Sequence, residues 1–321
     1  MKYTVKIVVA SLLITLSTLS NAQVWPNKSI RIISPFAAGG SNDIATRLIA
    51  EKLSLKLKQS VIVENKPGAN TRIGSDLIAK SDPDGYNLIM VAAPHTTNPA
   101  LYGKLPYDTV NDFTPIIQVV RAPLFLMVPA TSQYKTVNQL LEASNKQNPG
   151  LNVSSPGNGT APHLAIELFN VTAKTNLNHI PFKGDAPAIT EILGNRLDAG
   201  IHPIITPLPH IKNGKIRVLA VFGSTRSALL PEVPSLGELG YSNTEVFTWF
   251  GLLGPAKLPN EIVRRLNDEI NAILAQKEVR DKFLEMGMEV VGGSSDKFSQ
   301  YIREDLAKWN KLVAQRQIKP D

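Results

Sequence analysis

A glycine turn near the start of the chain combines residue types that suit the binding of a small anion. Residues 30–33 are mostly isoleucine and predict a buried strand, and Gly39 and Gly40 allow backbone angles that side chains forbid. Ser41 or Asn42 is predicted to cap the helix that follows. Bare backbone N–H groups and the positive end of a helix dipole favour an anion there. Every parallel α/β protein needs such turns, so a purely structural role stays equally open.

A second glycine turn, residues 154–163, leads into another predicted helix. It contains Gly157 and Gly159, but Pro162 occupies the third glycine position of a dinucleotide fingerprint, and no acidic residue follows where a ribose partner belongs. The turn therefore does not predict a nucleotide cofactor.

Catalytic and metal-binding patterns are absent from the sequence. It has no Gly-x-Ser-x-Gly, His-Glu-x-x-His, Walker A or Ca²⁺-loop pattern, and its five histidines do not have metal-ligand spacing. We therefore expect no cofactor and no metal, and structural hydrogen bonds for the histidines. These absences favour binding over catalysis. Scattered groups such as His163 and Asp185 leave an exported α/β hydrolase or isomerase open.

The composition describes an ordinary globular protein with room for two domains. The chain has 321 residues, of which 43% are hydrophobic and 19% are charged, and a formal net charge of +7. Its lysines and arginines are spread along the chain, which argues against a nucleic-acid partner. The sequence contains no cysteine, which excludes disulfides, thiol chemistry and a lipid anchor on a cysteine.

The first 22 residues have the pattern of a secretory signal peptide. Lys2 and Lys6 precede an apolar run over residues 7–19, and small residues lead to a predicted cleavage site after Ala22. The apolar run is too short to cross a bilayer comfortably. The pattern predicts a mature protein in an extracytoplasmic space.

The remaining residues alternate predicted strands and helices in two halves, which predicts the α/β class. Segments 113–120 and 123–128, interrupted at Arg121, are predicted to carry the chain from one domain to the other, and 246–253 to carry it back. A polar loop over 94–99 is predicted after a buried strand. Helices are predicted over 71–80, 137–145, 160–171, 186–193, 204–212, 278–286 and 297–315, with a long amphipathic helix after Pro259.

Short segments along nearly all of the predicted mature sequence match one protein family in order. They include Trp25-Pro26, Pro35-Phe36, Gly39-Gly40 with Asp43 and Arg47, residues 63–69, residues 82–86, Asn98-Pro99 with Leu101-Tyr102, Gly159-Thr160 with residues 163–165, residues 182–188, residues 209–220, residues 231–234 and Trp309. With these residues the chain resembles the Bug-type extracytoplasmic solute receptors of tripartite tricarboxylate transporters, which are periplasmic binding proteins.

The resemblance implies a type II-like Venus-flytrap fold, in which two α/β lobes joined by two crossover strands close on a small ligand. The implied limits are residues 25–123 with 245–321 for lobe 1 and residues 124–244 for lobe 2. The implied ligand-binding residues are Phe36, Ala38, Gly39, Gly40, Ser41, Asp43, His95, Thr96, Ser155, Gly157, Gly159, Thr160, His163, Lys183, Gly184, Asp185 and His202.

The resemblance also implies partners. The ligand would be a small organic carboxylate, either an amino acid or a mono- or dicarboxylate, and the receiving partner would be membrane permease subunits. A monomer is expected. A ligand sensor that docks on a sensor kinase is the alternative. The sequence does not separate the two partners, because the docking surface has no motif.

The chain departs from the usual family pattern at Ala37-Ala38, at Asp185 and at His202. Asp185 has two interpretations. In the cleft it would repel a second carboxylate, which favours a ligand with one carboxylate and a cationic or neutral polar group; otherwise it caps the helix that begins at Ala186. Asp43 also has two interpretations. It contacts the ligand, or, as an acid in the first turn of a helix, it interacts favourably with the helix dipole, which explains it better.

Overall fold

The structure, a computed structural model, describes residues 25–182 and 184–318; the predicted signal peptide and Lys183 lie outside them. The strands within these residues are β1 (Ile30–Ser34), β2 (Val61–Asn65), β3 (Asn87–Ala92), β4 (Phe113–Pro129), β5 (Asn152–Ser155), β6 (Asn178–Pro181), β7 (Ala199–Pro203), β8 (Ile216–Val221), β9 (Phe247–Pro255) and β10 (Glu289–Val290). The helices are α1 (Ser41–Leu57), α2 (Arg72–Ala79), α3 (Pro94–Tyr102), α4 (Val137–Asn145), α5 (Ala161–Thr172), α6 (Asp185–Leu193), α7 (Leu208–Lys212), α8 (Asn260–Leu274), α9 (Lys277–Glu285) and α10 (Ser295–Arg316).

The predicted alternation of strands and helices is confirmed, and α8 shows why. Six apolar side chains of α8 recur at helical spacing, and all of them are buried: Ile262, Val263, Leu266, Ile270, Ile273 and Leu274. The opposite face of the helix carries its charged residues and meets solvent. Such a helix gains its stability by covering a sheet with one apolar face.

Two predictions along the chain are wrong. Residues 94–99 form most of α3 and not a polar loop. Pro99 lies inside this helix and cannot donate a hydrogen bond to the carbonyl of His95, which accepts one from the hydroxyl of Thr109 at 3.4 Å instead. β4 is also continuous through Arg121, whose Nε lies 3.1 Å from Glu289 Oε2 at the surface.

The long strand β4 joins two sheet regions. Its residues 113–123 pair with β9, and its residues 124–129 pair with β7 and β8. The strand order along the whole path is β2-β1-β3-β9-β4-β7-β5-β6. The prediction that β4 and β9 are the two connecting strands agrees with this topology.

The strand directions place the carboxyl ends of the two sheet regions face to face. β4 and β3 are both antiparallel to β9, so β3 runs in the direction of β4, as do β1 and β2. β7 is antiparallel to β4, and β5 and β6 run parallel to β7, so these strands run back toward the first region. We call the loops after β1, β2 and β3 the first facing edge, and the loops after β5, β6 and β7 the second facing edge.

Apolar packing connects the two regions through α10. Near its start, Phe298 and Ile302 pack with Trp249 of β9. Near its end, Trp309 belongs to the core that also contains Phe169 of α5. The limits of the two lobes at 25–123 with 245–321 and at 124–244 stay a prediction, and α10 packs on both sides of them. No helix of the described chain is long and apolar enough to cross a membrane.

Candidate ligand site between the facing edges

The first turn, residues 36–43, lies at the first facing edge with residues 37–41 exposed. The helix α1 begins after Gly40, which is its N-cap residue, and no side chain caps it, so the prediction that Ser41 or Asn42 caps the helix is wrong. The backbone N–H groups of Ser41 and Asn42 have no acceptor among the described residues. Two donors at the positive end of a helix of 17 residues are therefore available to an anion.

Asp43 holds the first turn in place. Its carboxylate accepts the N–H of Gly39 at 2.9 Å, an amide N–H of Asn65 at 2.8 Å and the guanidinium of Arg47 at 3.1 Å. Burial alone would raise the pKa of Asp43, but these hydrogen bonds more than offset it, so the pKa lies below its ordinary value. The Gly39 N–H is thereby used inside the turn, and the donors left for a ligand are those that follow Gly40.

The second turn, residues 155–163, is held by its own side chains. The hydroxyl of Thr160 donates to the carbonyl of Gly157 at 2.7 Å and accepts the N–H of His163 at 3.5 Å, which caps α5. Gly157 and Gly159 have φ angles of 148° and 70°, which side chains rarely adopt. The strand–turn–helix prediction for this segment is confirmed.

Two histidines support the second turn from beneath. The N–H of Gly159 donates to Nδ1 of His163 at 3.0 Å, and the hydroxyl of Ser155 lies 2.7 Å from Nε2 of His179. The two imidazole rings stack with their centroids 3.9 Å apart. Burial, and after it the neighbouring His163, lower the pKa of His179 to about 3, so its ring is neutral at neutral pH. The structure places His163 as a support of the turn.

Asp185 and His202 lie together at the second facing edge. His202 lies in β7, and its Nδ1 lies 2.7 Å from Oδ1 of Asp185. Gly184, with φ 110°, is the N-cap residue of α6, and no side chain caps that helix. The interpretation of Asp185 as a helix cap is therefore wrong, although its position in the first turn of α6 still suits the dipole.

The structure does not bring the side chains of His95 and Thr96 to the facing edges. Nε2 of His95 lies 3.1 Å from the carbonyl of Thr109, its ring packs edge-on against Phe113, and burial lowers its pKa to about 4. The hydroxyl of Thr96 donates to the buried Asp305 of α10 at 2.6 Å. Both side chains connect α3 to its own lobe, so their prediction as ligand contacts loses its geometric support.

Other residues, which were not predicted from the sequence as ligand contacts, join the two edges. The hydroxyl of Thr97 donates to the carbonyl of Gly159 at 3.4 Å, and a Cβ built on Gly159 would lie 2.7 Å from Leu101 Cδ1. Asn98 and Asn70 exchange two hydrogen bonds of 2.7 Å beside this contact. The facing edges therefore touch in this structure.

The backbone near Asn70 is strained. Ala69, Asn70 and Thr71 have consecutive positive φ angles of 46°, 50° and 71°. Such conformations cost free energy in residues other than glycine and occur preferentially at functional sites. The signal in the sequence was Pro67-Gly68, a turn pair directly after β2 at the same edge as the first turn.

Neither metal binding nor exposed nucleophile chemistry is supported by this geometry. Across residues 25–182 and 184–318, no group of three or more His, Asp and Glu side chains could hold a metal ion. Ser154, His202 and Asp185 have the hydrogen-bond order of a serine hydrolase, but Ser154 is fully buried, so a substrate carbonyl does not reach it.

A cavity of about 810 Å³ lies away from the facing edges, between α5, α10 and residues 223–245.

Comparison with known proteins identifies one family. A family model described as the tripartite tricarboxylate transporter family receptor matches residues 45–318. The protein BugT of Bordetella pertussis is 33% identical over 296 residues, which cover 91% of this chain and 90% of BugT. A protein encoded in the tcbD-tcbE intergenic region of a Pseudomonas species is also 33% identical, with 92% and 88% covered.

Solved structures agree in fold. The periplasmic binding protein BugD has 29% identity and a TM-score of 0.77, covering 92% of this chain and 100% of BugD. An R. palustris protein solved with adipate has 30% identity and a TM-score of 0.80, with the same coverage of both chains. MatC from Rhodopseudomonas palustris, solved with bound malate, has 27% identity and a TM-score of 0.76, covering 90% of this chain and 100% of MatC. The two-lobed periplasmic-receptor fold predicted from the sequence is thereby confirmed.

Proposed function

The chain belongs to the tripartite tricarboxylate transporter receptor family and is a periplasmic solute-binding receptor; we propose that it captures a small organic carboxylate between its two facing edges for a membrane permease. The observation that carries this proposal is the direction of the strands. It brings the first and second turns, which are about 115 residues apart in the chain, to edges that face each other. A ligand held by both turns would link the two lobes.

The chemistry of the first turn suits a carboxylate. Ser41 and Asn42 present N–H groups at the positive end of α1, where negative charge is stabilised. Asp43 is engaged with the turn itself, so its charge is balanced by Arg47 and does not oppose an incoming anion. Two relatives in this fold were solved with the carboxylates adipate and malate, which supports the same ligand class here.

We assign two kinds of role to the predicted site residues. Contacts with the ligand would come from the exposed first turn, from residues 157–160, and from Gly184 and Asp185. Support would come from residues beneath them: Phe36, Asp43, Ser155, His163 and His202. Asn70 and Thr97 join the contact set because they lie where the two edges touch.

Closure would be a rotation about the strands that connect the lobes. β4 and β9 pair along residues 113–123 and 247–255, so any opening must bend or twist this ribbon near Pro123. Trp249 lies in β9, fully buried and edge-on to Phe298 and Tyr301. Ligand binding would shift an existing open–closed equilibrium toward the closed form.

The partner and the route to the periplasm complete the proposal. We propose that the receptor acts as a monomer, that residues 1–22 direct export and are removed, and that the closed receptor delivers its ligand to permease subunits. A sensor-kinase partner and an exported enzyme, the alternatives left open by the sequence, gain no support from the family or from the site geometry.

Two measurements test the proposal. Native mass spectrometry of the purified protein should reveal a bound small acid, and calorimetry with a panel of mono-, di- and tricarboxylates should give one ligand per chain. Incubation with the same acids and with their esters should leave them chemically unchanged. Absence of binding to every acid, or turnover of any of them, would overturn the proposal.

A further inference from the structure

A buried relay of three side chains ends in a carboxylate at the second facing edge. Nε2 of His202 lies 3.0 Å from the hydroxyl oxygen of Ser154, and Nδ1 of His202 lies 2.7 Å from Oδ1 of Asp185. Ser154 and His202 are fully buried, whereas the Asp185 side chain is 26% exposed. Solvent therefore reaches the relay only at its acidic end.

The hydrogen bonds of the relay leave one acceptor open. An ionised carboxylate only accepts, so Nδ1 of His202 donates to Oδ1 of Asp185. This hydrogen bond occupies Oδ1 of Asp185 and fixes the orientation of the carboxylate. Oδ2 of Asp185 accepts no hydrogen bond from residues 25–182 or 184–318.

The same carboxylate is tied to the second turn by the backbone. The N–H of Gly184 donates to the carbonyl of Pro156 at 2.9 Å, and the N–H of Phe182 donates to the carbonyl of Ser155 at 3.0 Å. The second turn in turn touches the first lobe at Gly159. Asp185 thus lies beside the second turn, at the second facing edge.

The two acids at the facing edges, Asp43 and Asp185, differ in the carboxylate oxygens that they leave free for a ligand. Asp43 is 3% exposed, and both of its oxygens are engaged with Gly39, Asn65 and Arg47. Asp185 keeps an open oxygen and makes no ion pair with a lysine or arginine of the described residues. Of these two acids, only Asp185 therefore has an oxygen available to a ligand.

From this arrangement we propose that Asp185 selects the ligand by charge. Resting on the proposed function, the first turn takes one carboxylate of the ligand, and Oδ2 of Asp185 accepts a hydrogen bond from an ammonium group at the other end. A dicarboxylate of the same length would bring its second carboxylate against Asp185, and like charges at short distance repel. The preferred ligand class is a monocarboxylate with a distal ammonium group, and His202 is the residue that positions Asp185.

Matched acid pairs test the charge selection. Calorimetry compares β-alanine with succinate, γ-aminobutyrate with glutarate, and δ-aminovalerate with adipate, on the wild type and on Asp185→Asn. The asparagine keeps an oxygen to accept from His202 and removes the charge. Asp198→Asn is the control, because Asp198 lies in the same lobe but accepts from the N–H of Asn152 at the opposite edge of the sheet.

For at least one pair, the wild type is expected to bind the amino acid at least about tenfold more tightly, which corresponds to about 1.4 kcal/mol. Asp185→Asn should reduce or reverse that ratio, and Asp198→Asn should leave it unchanged. Equal or tighter binding of the dicarboxylates by the wild type overturns the charge selection alone, as does an unchanged ratio in Asp185→Asn. If no acid of the wider carboxylate panel binds, the proposed function fails and the selection fails with it.

Discussion

The first and second turns both connect a strand to a helix at a facing edge, but different kinds of side chain hold them in place. The first turn is exposed and is held by a buried acid, Asp43, that is paired with Arg47. The second turn is mostly buried and is held by the stacked imidazoles of His163 and His179, of which His179 is neutral at neutral pH. The first arrangement neutralises the charge of its own acid and leaves backbone donors for an anion. The second is held without an ion pair among the described residues, and the nearby Asp185 adds a carboxylate.

This difference gives the two sides different roles: the first turn binds the carboxylate of the ligand, and the second side selects among carboxylates. A carboxylate is attracted to the first turn whatever the rest of the ligand carries, because the donors there are backbone groups at a helix N-terminus. The second side determines what else the ligand contains, because its open acceptor is a side chain. The predictions below test the two sides separately.

The largest effect is expected from Gly159→Val in the second turn. Gly159 has φ +70°, and an added Cβ would lie 2.7 Å from Leu101 Cδ1 in the first lobe, so valine combines backbone strain with a clash between the lobes. Affinity for the ligand should fall by at least about tenfold, as measured by calorimetry. Gly214→Val is the matched control, since Gly214 has φ +66° with no atom within 4 Å of an added Cβ. Equal losses of affinity in both variants would contradict a contact between the lobes.

Removing the acid of the first turn should destabilise the protein next most strongly. Asp43→Asn keeps the shape but weakens three hydrogen bonds and the pair with Arg47, which should lower the free energy of unfolding by about 1–3 kcal/mol. Because the folded pKa of Asp43 is depressed, its contribution is present at neutral pH and is lost as the pH falls below about 3.8, so the variant should lose less stability in that range.

Urea unfolding over a pH series measures the effect of Asp43→Asn. Asp296→Asn, at an exposed position in the first turn of α10, is the control for a generic first-turn acid. A loss no larger than that of the control would show that Asp43 does not hold the first turn.

The second turn should respond to acid at a higher pH than the first. The pKa of His179 is about 3 in the folded protein against an ordinary 6.5, so its neutral form stabilises the fold above pH 6.5, and this contribution declines as the pH falls toward 3. At about pH 5, hydrogen exchange of residues 155–160 should rise relative to neutral pH after correction for intrinsic rates, while exchange of residues 36–41 changes little. His179→Gln should flatten that dependence; a uniform response of both turns would contradict the comparison.

The smallest effect is expected from Arg47→Met. The Arg47 side chain is about half exposed, at 51%, and solvent screens its pair with Asp43, so the loss of unfolding free energy should stay below about 1 kcal/mol. Affinity for the carboxylate should fall only modestly: the charge of Asp43 is then no longer balanced, but the hydrogen bonds from Gly39 and Asn65 still hold the turn. A loss as large as that of Asp43→Asn would mean that the ion pair, and not the network, holds the first turn.

The sequence predicted the elements with clear periodicity and missed those governed by tertiary contacts. The apolar run of β3 and the amphipathic face of α8 gave their positions directly, as did Thr160 at the start of α5. α3 was missed because Pro99 disfavours a helix locally, while burial of its Thr and Asn side chains against both lobes stabilises it.

The candidate site was predictable only where a local pattern marked it. Both glycine turns were found because strand, glycine and helix follow one another in the chain. The contact of Asn70 and Thr97 with Gly159 joins segments distant in sequence, and periodicity carries no signal for it. Asp185 was located correctly at a helix start, but its partner His202 lies 17 residues on in a neighbouring strand and became visible only in three dimensions.

The distance between the lobes, with and without ligand, tests the central claim most directly. The chain has no cysteine, so Leu55→Cys on α1 and Glu142→Cys on α4, both at exposed helical positions, accept one spin label each. A ligand held by both turns should convert a broad distribution of label distances into a single shorter one at saturation. Identical distributions with and without a ligand whose binding calorimetry has established would contradict closure of the two turns on one site.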